Sequence, residues 1–361
     1  MHCKKNARTP RAAAGSLAGP GAAGGQAAAP LPRVALLATG GTIASRGADK
    51  LALTDYGPDS GLPPVGIEAL VAAVPEVGRF ARVTGEQLFN VGSSRLGIGH
   101  WLALAGRAGE LLASDGVDGL VITHGTDTLE ETAYFLHLVL RSAKPVVLVG
   151  AMRPATGLSA DGPLNLVNAV ALAASPAARG KGVLVAMNDI VAGAFGVAKT
   201  HATNAAAFAS LDGADLGHMQ DAVPHFVAQP LKRHTVRSEF DVSGLRSLPR
   251  VDVNFTTLGS DGLLVDAAVA AGARGIVNAG VGHGNMPEAT MRSLRAAQRK
   301  GVAVVVASRV PGGMVTPVAQ SVQAGFVSSM MHTAQKARIL LMLGLTRTDD
   351  PAELQRMFDE Y

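Results

Sequence analysis

The sequence predicts an α/β protein with a larger N-terminal parallel-sheet domain and a smaller C-terminal α/β domain. Three observations carry this. Short apolar runs alternate with amphipathic helical patterns, as parallel strands with crossover helices require. Of 361 residues, 48% are hydrophobic but only 4% aromatic, so aliphatic side chains must build the core. A polar stretch over residues 229–250 separates two such series.

Residues 1–33 contain Lys4, Lys5, Arg8, Arg11 and Arg33, no acid, and a run of Ala, Gly and Pro. A secretory core needs ~7–15 apolar residues, and Gly15, Gly19, Pro20, Gly21, Gly24 and Gly25 interrupt this one. The segment reads as a disordered tail or a mis-set start codon, and the protein as cytoplasmic. Ala27-Ala28-Ala29 would be the cleavage site of the exported alternative.

The N-terminal domain is expected over 34–228. Val34–Ala38 reads as a strand ended by Thr39-Gly40-Gly41-Thr42. Residues 46–64, rich in Gly, Pro and Asp, read as a long mobile loop. Helices are expected over Ile67–Val74, His100–Ala113, Thr128–Leu140 and Leu164–Ala174, and strands over Gly119–Thr123, Val146–Val149 and Val183–Ala186. Thr128-Leu129-Glu130-Glu131 fits a capping box. After the linker at 229–250, the domain at 251–361 is expected to hold strands Val251–Phe255, Gly275–Asn278 and Val302–Ala307. Helices near Leu263–Ala271, Glu288–Arg299 and Ala334–Leu343 flank them.

Charge and composition exclude several functions. The formal charge is +4, but without residues 1–33 the remaining 27 basic and 28 acidic residues leave −1, which indicates no nucleic-acid-binding face. Cys3 is the only cysteine and no His-Glu-x-x-His pair occurs, so neither a disulfide nor a metal is expected. No window approaches the ~20 apolar residues of a membrane span.

Three constellations bear on chemistry. Thr39-Gly40-Gly41-Thr42 follows the first strand, where an α/β sheet binds ligands. Its glycines let backbone approach a ligand and Thr42 supplies a hydroxyl; the plain alternative is a tight turn with a capping threonine. Thr123-His124-Gly125-Thr126-Asp127 ends another strand. There a hydroxyl beside a carboxylate can hold a nucleophile or a substrate ammonium, or Asp127 can simply favour a helix N-terminus. Lys199 is either a surface lysine or the base that a weakly nucleophilic threonine needs. Two such turns at parallel-strand ends converge on one crevice, without naming a substrate.

Thr39–Ala44 (TGGTIA), Val121–Leu136 (VITHGTDTLEETAYFL) and Val146–Ala169 (VVLVGAMRPATGLSADGPLNLVNA) closely resemble the bacterial L-asparaginases, nearer type II than type I. The likeness runs through Gly182–Asp189, Lys199-Thr200, Gly275–Asn285 and Gln335–Leu345, and covers nearly all of 34–361. It implies an asparaginase-like fold, a homotetramer built as a dimer of dimers with sites between subunits, and no cofactor. Thr42 matches the flexible-loop threonine taken as nucleophile. Thr126, Asp127 and Lys199 match the second triad, in which Lys199 tunes the hydroxyl and Asp127 also holds the substrate α-amino group. Ser93 matches the serine on the α-carboxylate, and Tyr56 is the candidate lid tyrosine. The implied reaction converts L-asparagine to L-aspartate and ammonia through an acyl-enzyme.

Where type II has Ser-Gln, this chain has Ser93-Ser94, as in type I. Thr316–Ala324 lacks the acid that a neighbouring subunit contributes, and the asparagine expected near Gly259 is absent. A broader glutaminase-asparaginase and a non-catalytic amino-acid-binding relative are the rival readings. A third, the asparaginase-like subunit of a tRNA amidotransferase, would be expected to carry an extra N-terminal module.

Overall fold

The computed structural model describes residues 30–56 and 62–361. The tail expected before residue 30 and the part of the predicted loop at 57–61 lie outside the described residues. Five parallel strands make the body of the larger sheet: β1 (Arg33–Ala38), β2 (Arg82–Gln87), β3 (Gly119–Thr123), β4 (Val146–Val149) and β5 (Val183–Met187). Between them run α1 (Ile67–Ala72), α2 (Ile98–Ala113), α3 (Leu129–Val139) and α4 (Gly162–Ala174). Beyond β5 the sheet turns antiparallel through β6 (Ile190–Gly193). A separate hairpin, β7 (Val197–Lys199) with β8 (Phe208–Ser210), precedes β9 (Gly217–Gln220) and β10 (Val223–Phe226).

The spatial order is β10-β9-β6-β5-β4-β3-β1-β2. The chain thus leaves β1 towards β2 on one side and returns to β3 on the other. That reversal makes a crevice beyond the carboxyl ends of β1 and β3, where open α/β sheets bind ligands. Both glycine turns singled out in the sequence sit there.

The central strands β1, β3, β4 and β5 are buried on both faces. Leu37, Leu120, Ile122 and Leu148 pack under α2 and α3, while Leu36, Val121, Val147 and Val149 pack under α4. This is why β3 and β4 read as continuous apolar runs rather than alternating ones. The smaller sheet is parallel throughout: β11 (Val251–Phe255), β12 (Gly275–Gly280), β13 (Ala303–Ser308) and β14 (Val327–Ser328). Its helices are α5 (Leu263–Ala270), α6 (Glu288–Arg299), α7 (Ala319–Gln323), α8 (Ala334–Gly344) and α9 (Pro351–Glu360). Helix α8 packs on β11, β12 and β13 and also on α3, and Leu341 shares one core with Phe135.

Two local expectations change. Arg33 joins β1 because its guanidinium grips Asp118 through Nε and a terminal nitrogen, each at 3.0 Å. The capping box at Thr128 does not form: the Thr128 hydroxyl donates instead to the Ser93 carbonyl at 3.1 Å. The threonine therefore ties the Ser93 segment to α3 rather than closing its own helix end.

Candidate active site

At the end of β1, Thr39 donates both its N–H and its hydroxyl to the Thr123 carbonyl at the end of β3, at 3.2 and 2.7 Å. Gly40 and Gly41 follow with φ of 103° and 92°, a region that side chains rarely enter. Space is as demanding as the dihedral. A Cβ on Gly40 would lie 2.6 Å from the Val91 nitrogen, and one on Gly41 would lie 2.3 Å from the Gly125 Cα. The first turn is therefore pressed between the 90–93 loop and the 124–126 turn. A 3-10 turn at Thr42–Ala44 then buries the Thr42 side chain but leaves it at a cavity wall.

The Thr42 Oγ1 is 3.1 Å from the Tyr56 hydroxyl. Tyr56 reaches it because the 46–56 segment folds back on itself, with a bridge between Gly47 and Tyr56 and a hydrogen bond from the Gly47 N–H to the Thr156 Oγ1 at 2.9 Å. On the facing wall, the Lys199 ammonium donates to the Thr126 Oγ1 at 2.9 Å and to the Asp127 carboxylate at 2.8 Å. The Lys199 side chain is 17% exposed and that of Asp127 is 62% exposed, so the pair offers its carboxylate outward.

Both walls enclose a cavity of about 400 Å³, large enough for a small amino acid. Thr42, Tyr56, Ser93, Ser94, Thr126 and Asp127 all line it. Lys199 is not part of the lining; it reaches Thr126 and Asp127 from β7. Every residue singled out from the sequence is thus brought together. Ser93 is buried and packs on Gly125, where a Cβ would stand 2.6 Å from its Oγ. Sequence reasoning missed Ser45, Arg46, Leu62, Pro64, Asn90 and Arg95, which also line the cavity. Only their nearness in sequence to Thr42, Tyr56 and Ser93 could have marked them.

His124 lies beneath the second turn, fully buried. Burial pushes its imidazole down to about 4. Its Nδ1 donates to the Gly125 carbonyl at 2.7 Å, so it is a neutral brace for the turn rather than a proton carrier.

The chain matches two family models: "Asparaginase, N-terminal" over residues 33–232 and "Glutaminase/Asparaginase C-terminal domain" over residues 250–358. It is 47% identical to L-asparaginase 2 of Bacillus subtilis, over 92% of this chain and 87% of that protein. It is 45% identical to L-asparaginase 2 of Escherichia coli, over 93% and 95%. Glutaminase-asparaginase of Pseudomonas fluorescens is 44% identical over 92% of this chain and 91% of its own length. A crystal structure described as a probable cytoplasmic L-asparaginase from Campylobacter jejuni superposes with a TM-score of 0.88 at 45% identity. The match covers 91% of this chain and 100% of that one.

Proposed function

The chain belongs to the asparaginase family, and from that premise we propose that it hydrolyses L-asparagine to L-aspartate and ammonia with Thr42 as nucleophile. The observation that carries the proposal is the meeting of two threonine hydroxyls on one cavity, one joined to Tyr56 and the other to a Lys199–Asp127 pair.

A threonine hydroxyl attacks a carbonyl carbon only when its proton has somewhere to go. For Thr42 the Tyr56 oxygen at 3.1 Å is the partner through which that proton leaves. The Thr42 Oγ1 bonds to the side-chain amide carbon and the carbonyl electron pair moves onto oxygen. Backbone N–H groups of the Gly125-Thr126 turn stabilise that oxyanion. The pair returns as the C–N bond breaks, the nitrogen takes up the proton that left Thr42 through Tyr56, and ammonia departs to leave an ester on Thr42. Water then attacks the ester carbon, aspartate departs, and the hydroxyl is restored.

Thr126 accepts from Lys199, which leaves its own proton free to point into the cavity at substrate or water. Asp127, with its carboxylate largely exposed, suits the substrate α-ammonium, and the Ser93 and Ser94 hydroxyls suit the α-carboxylate. No step calls on a metal or cofactor.

Assembly into a homodimer or a dimer of dimers is supported by exposed apolar residues on the smaller domain. Phe255, Leu258, Leu263 and Leu264 lie there at more than half exposure. A cytoplasmic location is supported by the description of the Campylobacter jejuni structure, while a Haemophilus influenzae relative, 44% identical, is described as periplasmic. Fractionation of the producing cell separates the two locations.

Ammonia release from L-asparagine, measured for the wild type and for Thr42→Ala, tests the reaction and the nucleophile together. Removal of the nucleophile is expected to lower turnover by about 10⁴-fold or more, as for catalytic groups that work as a unit. No release by the wild type would make the chain an amino-acid binder. Full turnover by a folded Thr42→Ala variant would move the chemistry, with Thr126 next in line.

A further inference from the structure

Lys199 stands at the end of a two-stranded hairpin, an element of marginal stability on its own. Its position must be fixed by something else, and a set of four hydrogen bonds does so. The Lys199 N–H donates to the Glu130 Oε2 at 2.5 Å. The other carboxylate oxygen, Oε1, accepts from the Gln335 Nε2 at 2.7 Å. The Lys336 ammonium donates to the carbonyls of Phe195, at 2.7 Å, and Val197, just upstream of Lys199.

Glu130 and Lys336 are almost fully buried, at 7% and 2% exposure. Such burial is costly for groups of this kind unless their hydrogen-bonding capacity is used. Here both Glu130 oxygens and the Lys336 ammonium are engaged, and through the Lys199 N–H and the Phe195 and Val197 carbonyls they hold β7 and the residues just before it. Glu130 also lies in the first turn of α3, four residues beyond Thr126. The turn leading into α3 therefore carries Thr126 and Asp127, and the helix's first turn grips the backbone of Lys199 through a carboxylate. Gln335 and Lys336, in the first turn of α8, lock that grip from the smaller domain.

We propose that Glu130, anchored by Gln335, is the positioning residue that sets the Lys199 ammonium against Thr126 and Asp127. The inference rests on the reading of Lys199 as part of the catalytic machinery. Glu130 touches no substrate and acts only through Lys199. Its chemical task is to present an oxygen acceptor to the Lys199 N–H, which any side chain with a carbonyl at the same reach can do.

The test is steady-state kinetics on the full chain for Glu130→Ala, Glu130→Gln and Gln335→Ala, each also combined with Lys199→Met. A misplacement of about 1 Å costs up to about 100-fold in rate. Glu130→Ala is accordingly expected to lower kcat about 10- to 100-fold while KM changes less than about threefold. In the Lys199→Met background the same change should add less than about twofold, since residues acting as one unit are not additive. Glu130→Gln keeps an oxygen acceptor and is expected to restore kcat to within about threefold of wild type. A wild-type kcat in Glu130→Ala, a loss that multiplies with that of Lys199→Met, or a folded Glu130→Gln as slow as Glu130→Ala overturns the proposal. If Glu130→Ala does not fold, Gln335→Ala carries the comparison: a kcat loss that vanishes without the Lys199 ammonium supports the anchor, and wild-type kcat overturns it. Full activity in Lys199→Met alone would instead overturn the reading on which the inference rests, so the two failures are distinct.

Discussion

Gly41 and Gly125 are packed backbone to backbone, so that a Cβ on Gly41 would lie 2.3 Å from the Gly125 Cα. The two glycine turns thus approach more closely than any pair of side-chain-bearing residues could. This contact links the ends of β1 and β3 and sets the spacing of Thr42 and Thr126 across the cavity.

Gly41→Ala should therefore fold less stably and lose most activity. Its φ of 92° adds backbone strain to the clash, and a residue forced into such a region costs of order 1–3 kcal/mol. The strain bears on stability; the forced separation of the turns bears on rate. Gly244→Ala makes the control, since Gly244 also has a positive φ, of 76°, but a Cβ there meets nothing within 4 Å. It should lose stability and keep its turnover. Equal turnover in the two alanine variants would show that the closeness of the turns does not govern catalysis.

Asp127→Ala and Lys199→Met should each reduce turnover sharply, and the double variant should lose much less than the product of the two. The ammonium bridges Thr126 and Asp127 at 2.9 and 2.8 Å, so removing either end disturbs the same hydroxyl. Groups that work as a unit behave this way. A double variant as slow as the multiplied single losses would mean that the two act independently.

How much of this was legible beforehand depends on whether a residue's role is local. The buried strands β3 and β4 announce themselves because every residue in them is buried, so the sequence is apolar throughout. β2 (RVTGEQ) does not, because it is an edge strand with exposed Arg82, Thr84, Gly85 and Gln87. Helix α9 was missed as well. Its signals were the Pro351 start behind Asp350, whose carboxylate accepts the Ala352 N–H, and the buried set Leu354, Met357 and Phe358. In the site, Thr42 and Thr126 were visible as hydroxyls in glycine turns at strand ends. Glu130 was not: a glutamate in a first helical turn looks like a solvated, dipole-favourable residue. Only the arrival of β7 and α8 buries it and gives its oxygens partners. Thr128 misled in the same way, since its hydroxyl had a plausible local partner and a better distant one.

Mild acid should destabilise the fold. His124 and His332 are pushed down by burial to about 4 and about 3, His137 is held well below its ordinary range, and His234 is lowered too. Their contacts fit neutral rings: the His332 Nδ1 donates to the Ser329 carbonyl while its Nε2 accepts from Tyr134, and the His137 Nδ1 accepts from the Val183 N–H. The folded state thus binds fewer protons than the unfolded one below about pH 6.5, so stability is full above that pH and falls as pH drops towards 4. Each fully buried ring contributes about 1.4 kcal/mol per pH unit in that window. Melting temperatures should hold from pH 7.5 to about 6.5 and fall from there to pH 5, less steeply in His332→Gln. A flat profile over that range would show that these rings protonate without cost.

Selectivity should favour L-asparagine over L-glutamine, with weak affinity for both. Ser94 lines the cavity where the type II enzymes it resembles have glutamine. The asparagine they have near Gly259 is absent, and the segment at 316–324, which holds α7, brings no acid. Each lost hydrogen bond to a charged substrate group is worth ~1.5–3 kcal/mol, so one unreplaced contact weakens binding by roughly tenfold or more. Glutamine should suffer most. Its extra methylene must be accommodated while its α-carboxylate and α-ammonium stay anchored, and a thinner anchor tolerates misplacement poorly. Ammonia release with each amide at matched enzyme concentration gives the two specificity constants. A glutamine constant equal to or above that of asparagine refutes the selectivity argument, and a micromolar KM for asparagine shows that other groups have replaced the missing ones. Ser94→Gln restores an amide at the cavity wall without touching Thr42, Thr126 or Lys199, so it should move the ratio of the constants while leaving the reaction intact. An unchanged ratio would remove Ser94 from the set of residues that recognise the substrate.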